Sequence, residues 1–149
     1  MTTPGIRRLD RSEIELLSRI DPRLESAPAL VAHLGDLLDG GLSWLAEADG
    51  APVGFAIVTR HFFNFPFVDL LHVREAERRG GFGRALMLHC EAAHDADRIF
   101  TSTNESNDPM RALLAGIGWR TCGQVDALDE GDPELFFVKF RDPRRITRG

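Results

Sequence analysis

The aliphatic run Val68–Val73 passes within a few residues into Arg78-Arg79-Gly80-Gly81-Phe82-Gly83, and a helical pattern follows at once. Phe82, Ala85, Leu86, Cys90 and Ala93 fall on one stripe, which predicts a helix over 82–93. A strand must therefore feed a helix through a glycine-lined turn. Glycines permit positive φ, so successive backbone N–H groups can converge on an anion. The helix start adds unpaired N–H donors and a positive dipole end. Arg78, Arg79 and Arg84 add full charges. Together these make a cradle for a diphosphate. A P-loop needs Gly-Lys-Ser/Thr, which is absent, and a dinucleotide fingerprint needs a third glycine where Leu86 stands. By itself the same turn also suits a purely structural connection.

The rest of the chain reads as one sheet with helices interspersed. Ile6–Leu9 is a short strand. Asp10 or Ser12 can cap a helix running to Ile20, with Ile14 and Leu17 facing inward, and Asp21-Pro22 breaks it. Ala29–Leu38 reads as a second helix stopped by Gly40-Gly41. Leu42–Glu47, Asp49-Gly50 and Val53–Arg60 form a hairpin signal. Arg98–Thr103 is a strand, and Asp108-Pro109 opens a helix with Asp108 as its expected N-cap. Trp119–Val125 and Leu135–Phe140 are the last strands. Residues 1–149 make a single domain, with the Arg-rich 141–149 expected to fray.

Composition excludes several function classes. No apolar run approaches the ~20 residues needed to cross a bilayer. Met1–Gly5 lacks a leader pattern, so a cytoplasmic location is expected. The net charge of −5 disfavours nucleic acid. Arg74, Arg78, Arg79 and Arg84 cluster mid-chain, whereas Asp126, Asp129, Glu130, Asp132 and Glu134 form an acidic stretch. That split suits an anionic ligand at one place and a cationic one at another, or two solvated loops. Cys90 and Cys122 form no disulfide framework and are expected in the core. His89 and His94, five apart, fall on different helix faces, so no metal is expected.

The chain resembles the GNAT acyltransferase superfamily. Arg78, Gly81 and Gly83 match its Gln/Arg-x-x-Gly-x-Gly/Ala cofactor motif, and Asn107, Met110, Leu113, Gly118 and Trp119 match a second element in register, with Trp for the usual Phe. The resemblance implies an α/β (α+β) fold. Its sheet is mixed and mostly antiparallel, six- to seven-stranded, with helices on both faces and strands four and five splayed apart. It implies acetyl-CoA as cofactor. Backbone groups of Leu71, His72 and Val73 would bind the pantetheine arm. Arg78, Arg79, Gly80, Gly81, Phe82, Gly83 and Arg84 would surround the pyrophosphate. Asn107 would contact the pantetheine, with Asn104 as a second candidate and a plain turn role as Asn107's alternative.

The implied activity is acetyl transfer to a primary amine, small or peptidic and cationic, by direct attack in a ternary complex. Many family members carry a tyrosine where this chain has Leu114, and the chain has no tyrosine. A thiolate leaves tolerably without it, because its conjugate acid has a pKa around 8–9. The gap also admits a non-catalytic CoA-binding module. Asp69 is the first candidate base, expected to share the side-chain face of Phe67, Leu71 and Val73. Glu130, in the acidic loop, is the second. His72 is weaker, because its parity opposes Asp69. The aromatic segment His61–Phe67 fits an acceptor-pocket wall or a homodimer interface.

Overall fold

The structure, a computed structural model, describes residues 5–145. Met1–Pro4, read above as free of a leader pattern, and residues 146–149 of the expected frayed tail lie outside the described residues. Seven strands form one sheet: β1 (Gly5–Leu9), β2 (Ser43–Ala48), β3 (Ala51–Phe62), β4 (Phe65–Val73), β5 (Arg98–Asn104), β6 (Arg120–Val125) and β7 (Glu134–Phe140). Their spatial order is β1-β2-β3-β4-β5-β7-β6. Every neighbouring pair is antiparallel except β4 with β5. Three α-helices accompany the sheet: α1 (Pro28–Asp39), α2 (Phe82–Ala93) and α3 (Asp108–Gly116).

Local chemistry explains most boundaries. Asp49 and Gly50 both adopt positive φ (53° and 78°), as the tight turn between β2 and β3 requires. Phe63 and Asn64 do the same between β3 and β4, a hairpin whose turn carries no glycine (φ 52° and 64°). The helix expected from Asp10 to Ile20 is instead a 3-10 segment, Arg11–Arg19, capped by the Asp10 carboxylate on Ser12 N. A second 3-10 turn, Pro22–Ser26, follows Asp21. Arg141 donates to the Ala96 and His94 carbonyls and Arg145 pairs with Asp97, so residues 141–145 are tied to the body.

Two cores lie on opposite faces of the sheet. Leu9, Leu45, Phe55 and Ile57 pack with Leu17, Ile20, Leu24, Leu34, Leu37 and Leu38 under the 3-10 segments and α1. Ala46, Ala56, Val58, Val68 and Ile99 pack with Phe82, Leu86, Met87, Cys90 and Leu114 under α2 and α3. Cys90 is buried as expected, but Cys122 is exposed, because β6 is the edge strand and all six of its residues face solvent.

Candidate functional site

Strands β4 and β5 pair at only two positions, Phe67 with Phe100 and Val68 with Thr101. Beyond them the strands part. Leu71, His72 and Val73 stay paired to β3 on one side and are free toward β5 on the other. This V-shaped gap has no mark in the sequence of either strand.

The glycine-rich turn stands just beyond the end of β4. Arg79 and Gly81 adopt left-handed φ (73° and 83°), and Gly81 caps α2 with no side-chain hydrogen bond. The amides of Phe82, Gly83 and Arg84 meet no acceptor among the described residues. A Cβ added at Gly81 would meet nothing within 4 Å, so the turn opens outward. One at Gly83 would only touch Leu113, Leu71 and Val73 at 3.6–3.8 Å, which places this glycine between α3 and the free end of β4. Arg74 is committed to Glu77 and Arg78 donates to Val73 O at 3.1 Å. Arg79 and Arg84 form no ion pair among the described residues. Three unpaired helix-start amides with two uncommitted guanidinium groups fit a diphosphate.

Asn107, not Asp108, is the N-cap of α3: its Oδ1 accepts from Met110 N at 3.2 Å. Its Nδ2 donates to Thr103 Oγ1 at 3.0 Å, so both ends of the side-chain amide are engaged. Asp108 is already inside the helix, so its carboxylate is not placed to cap the first turn. Asn104 Nδ2 donates to Asp129 Oδ2 at 2.9 Å. Ser106 donates from its N and Oγ to the Asp132 carboxylate at 3.0 and 2.6 Å. The acidic loop between β6 and β7 is thus latched onto the β5–α3 connection at the mouth of the gap. Asp129 and Asp132 are consumed by the latch, and Glu130 stays exposed on the rim.

A β-bulge corrects the expected face of Asp69. Val58 pairs with Val68 and Ile57 with Leu70, so Asp69 is an extra residue in β4. Val68, Leu71 and Val73 pack with the α2 side, whereas Leu70 packs with the α1 side. The inserted residue reverses the alternation, and Phe67 no longer shares a face with Leu71. Asp69 accepts a hydrogen bond from Thr59 Oγ1, and Thr59 pairs with Phe67. His72 lies 6.0 Å from Phe55, ring to ring, on the α1 side as well. Asp69 and His72 therefore face the same side rather than opposite ones. Crowding by protein pushes the Asp69 carboxyl above its ordinary range, against the Thr59 hydrogen bond, although the residue stays accessible. Burial lowers the His72 pKa, with nearby Asp21 opposing.

Leu114 is completely buried in the α2–α3 core. His89 packs edge-on against Trp44 at 4.2 Å, and His94 Nδ1 accepts from Ala96 N. A cavity of ≈ 260 Å³ lies near the C-terminal end of α2, lined by Gly41, Trp44, Thr59, Pro66, Cys90 and His94. It is remote from the glycine turn, and burial pushes its Cys90 thiol up to about 12, which keeps that sulfur protonated. Among the described residues no helix is long and apolar enough to cross a membrane.

The gap, the open helix start and the bulge occupy one end of the sheet. The family model of the acetyltransferase (GNAT) family matches residues 9–119. The chain belongs to the GNAT family. The cofactor of that family is acetyl-CoA. Among solved structures, a GNAT acetyltransferase from Bacillus cereus ATCC 10987 superposes with a TM-score of 0.84 at 26% identity, covering 93% of this chain and 98% of that one. The ribosomal-protein-S18-alanine N-acetyltransferase of Escherichia coli gives 0.74 at 17%, covering 91% and 92%. A Bacillus anthracis protein solved in complex with acetyl coenzyme A gives 0.63 at 13%, covering 69% and 64%. No curated protein matches the GNAT chain in sequence.

Proposed function

We propose that this GNAT chain is an N-acetyltransferase that moves the acetyl group of acetyl-CoA to a primary amine by direct attack. The observation that carries this is the coincidence of an uncapped, solvent-open α2 start with the free edge of β4 beyond Val68. The amides of Phe82, Gly83 and Arg84, with Arg79 and Arg84, would hold the pyrophosphate. Gly80 and Arg78 shape the turn. Leu71, His72 and Val73 would hold the pantetheine by their backbone groups. Asn107 would assist through the loop it caps, and Asn104 through the latch. Acetyl-CoA supplies the activated thioester.

The chain's own residues have three tasks. Backbone donors at the bulge would polarise the carbonyl oxygen of the thioester. Asp69, facing the open α1 side of the gap, takes the proton from the incoming ammonium, and its raised pKa brings it nearer that task. Glu130 on the rim attracts a cationic acceptor. Holding both reactants along one gap supplies proximity.

Calorimetric titration with acetyl-CoA and thiol release across an amine panel test this reading. Wild-type protein binds and turns over. Arg84→Glu, which puts a carboxylate at the exposed start of α2 in place of a guanidinium, abolishes binding while keeping the wild-type circular dichroism spectrum. Binding unchanged in that variant would remove the cradle. A second reading, a CoA-binding module without turnover, is favoured by Leu114 and the missing tyrosine. Tight CoA binding with no thiol release on any amine would select it.

A further inference from the structure

We infer that the acceptor of this transferase is an amine carrying an aromatic or bulky apolar body. The inference rests on the acetyl-transfer reading and concerns what that site admits. The cofactor cradle and the N-terminal ends of α2 and α3 occupy one face of the gap, where Gly83 approaches Leu71, Val73 and Leu113. The acceptor must come from the opposite face. There, a floor of phenylalanine rings lies at the apex where β4 and β5 part. Phe62 is central, with ring centroids 5.0 Å from Phe67, 5.1 Å from Phe100 and 5.4 Å from Phe136. Phe62 and Phe136 are nearly parallel, at 20°, and Phe67 and Phe136 are 6.2 Å apart.

These rings come from four different strands, so the cluster is a tertiary construction. Phe67 is buried, while Phe62, Phe100 and Phe136 stay partly exposed. The 3-10 segments and α1 pack over β1 to β3 through Leu9, Leu45, Phe55 and Ile57, and the rings on β5 and β7 lie beyond that cover. An apolar surface left open beside a reaction centre is a recognition surface.

Charge complements it. Asp69 follows Phe67 by two residues and shares its face, because its Thr59 partner pairs directly with Phe67. Same-face neighbours two apart on a strand are roughly 6–7 Å apart. A short alkyl linker spans a distance of that order, so an ammonium can sit at Asp69 while a ring lies on Phe136, 6.2 Å from Phe67. Glu134 pairs with Asn104 in β5 and adds a second carboxylate at the far side of the gap. A polyamine would leave the rings bare.

The test compares kcat/KM for phenethylamine and ethylamine, which share the ammonium and differ in the ring, using wild type, Phe136→Ala and Phe136→Leu. The expected wild-type preference for phenethylamine is about 30-fold, as a ring moved from water to an apolar wall provides. Both variants reduce that ratio about tenfold in KM rather than kcat, and Phe136→Leu keeps the volume should Phe136→Ala fold poorly. Equal use of the two amines by wild type, with acetyl-CoA bound and thiol released, overturns the inference and leaves acetyl transfer standing. A variant effect on the acetyl- versus butyryl-CoA ratio assigns the rings to the acyl side and overturns it too. So does a wild-type dimer by sedimentation that Phe136→Ala splits, because the face then joins two copies. Failure to bind acetyl-CoA at all sinks the transferase reading itself.

Discussion

Asp69 shows how much one inserted residue can decide. A regular β4 would point it with Leu71 into the α2 side; the bulge turns it to the α1 side and next to Thr59. Its carboxyl pKa is raised by burial. A raised folded pKa contributes stability that is present below the unfolded value near 3.8 and is lost as pH rises through the folded value. Asp69→Asn is therefore expected to leave the thermal midpoint at pH 7 unchanged or higher. The same variant should lower kcat/KM about 100-fold or more, as loss of a general base does. In wild type, the acidic limb of kcat/KM should lie above the ordinary carboxylate range and vanish in Asp69→Asn. A limb retained in that variant, near or below 6.5, would move the base to His72, whose pKa burial lowers.

Helix α3 depends on its ends. Asn107 closes the N-terminus by accepting from Met110 N and anchors it to β5 through Thr103. At the other end Gly118 turns with φ 86°, and Lys139 donates to Ile117 O, where a cation suits the helix C-terminus. Glu91 holds that lysine at 3.5 Å and accepts from Trp119 Nε1 at 3.3 Å. Removing the cap with Asn107→Ala should cost about 1 kcal/mol by urea denaturation. Asp108→Ala, on a residue already inside the helix, should cost a few tenths of that. Equal losses would return the cap to Asp108. A slack α3 start loosens the mouth of the gap, so the Asn107 variant should also bind acetyl-CoA more weakly.

The two cores share one sheet and cannot melt independently. Leu45 and Leu86 are both fully buried, Leu45 on β2 in the α1-side core and Leu86 on the inner face of α2 in the other. Leu45→Ala and Leu86→Ala should each cost about 2–5 kcal/mol. Each should shift a single transition, with near- and far-ultraviolet circular dichroism coincident. Two separate transitions in either variant would mean that the faces fold as distinct units. The half of the sheet formed by β5, β7 and β6 carries no helix on its α1 side among the described residues. Its partly exposed rings Phe100 and Phe136 belong to neither core.

The amino-acid sequence alone determined what depends on neighbours along the chain. The bounds of α2, the left-handed Asp49-Gly50 turn and the glycine cradle follow from periodicity and from the φ angles glycine permits. These local signals, with the motif spacing of Arg78, Gly81 and Gly83, sufficed for the family and its fold. The tertiary structure decided where strands register and which polar atoms are already committed. The two-residue pairing of β4 with β5, the bulge at Asp69, the capture of Asn104 by Asp129 and the meeting of Phe62, Phe67, Phe100 and Phe136 join residues distant in sequence. No local pattern encodes them, because a bulge costs little within one strand and is selected only by the strands packed beside it.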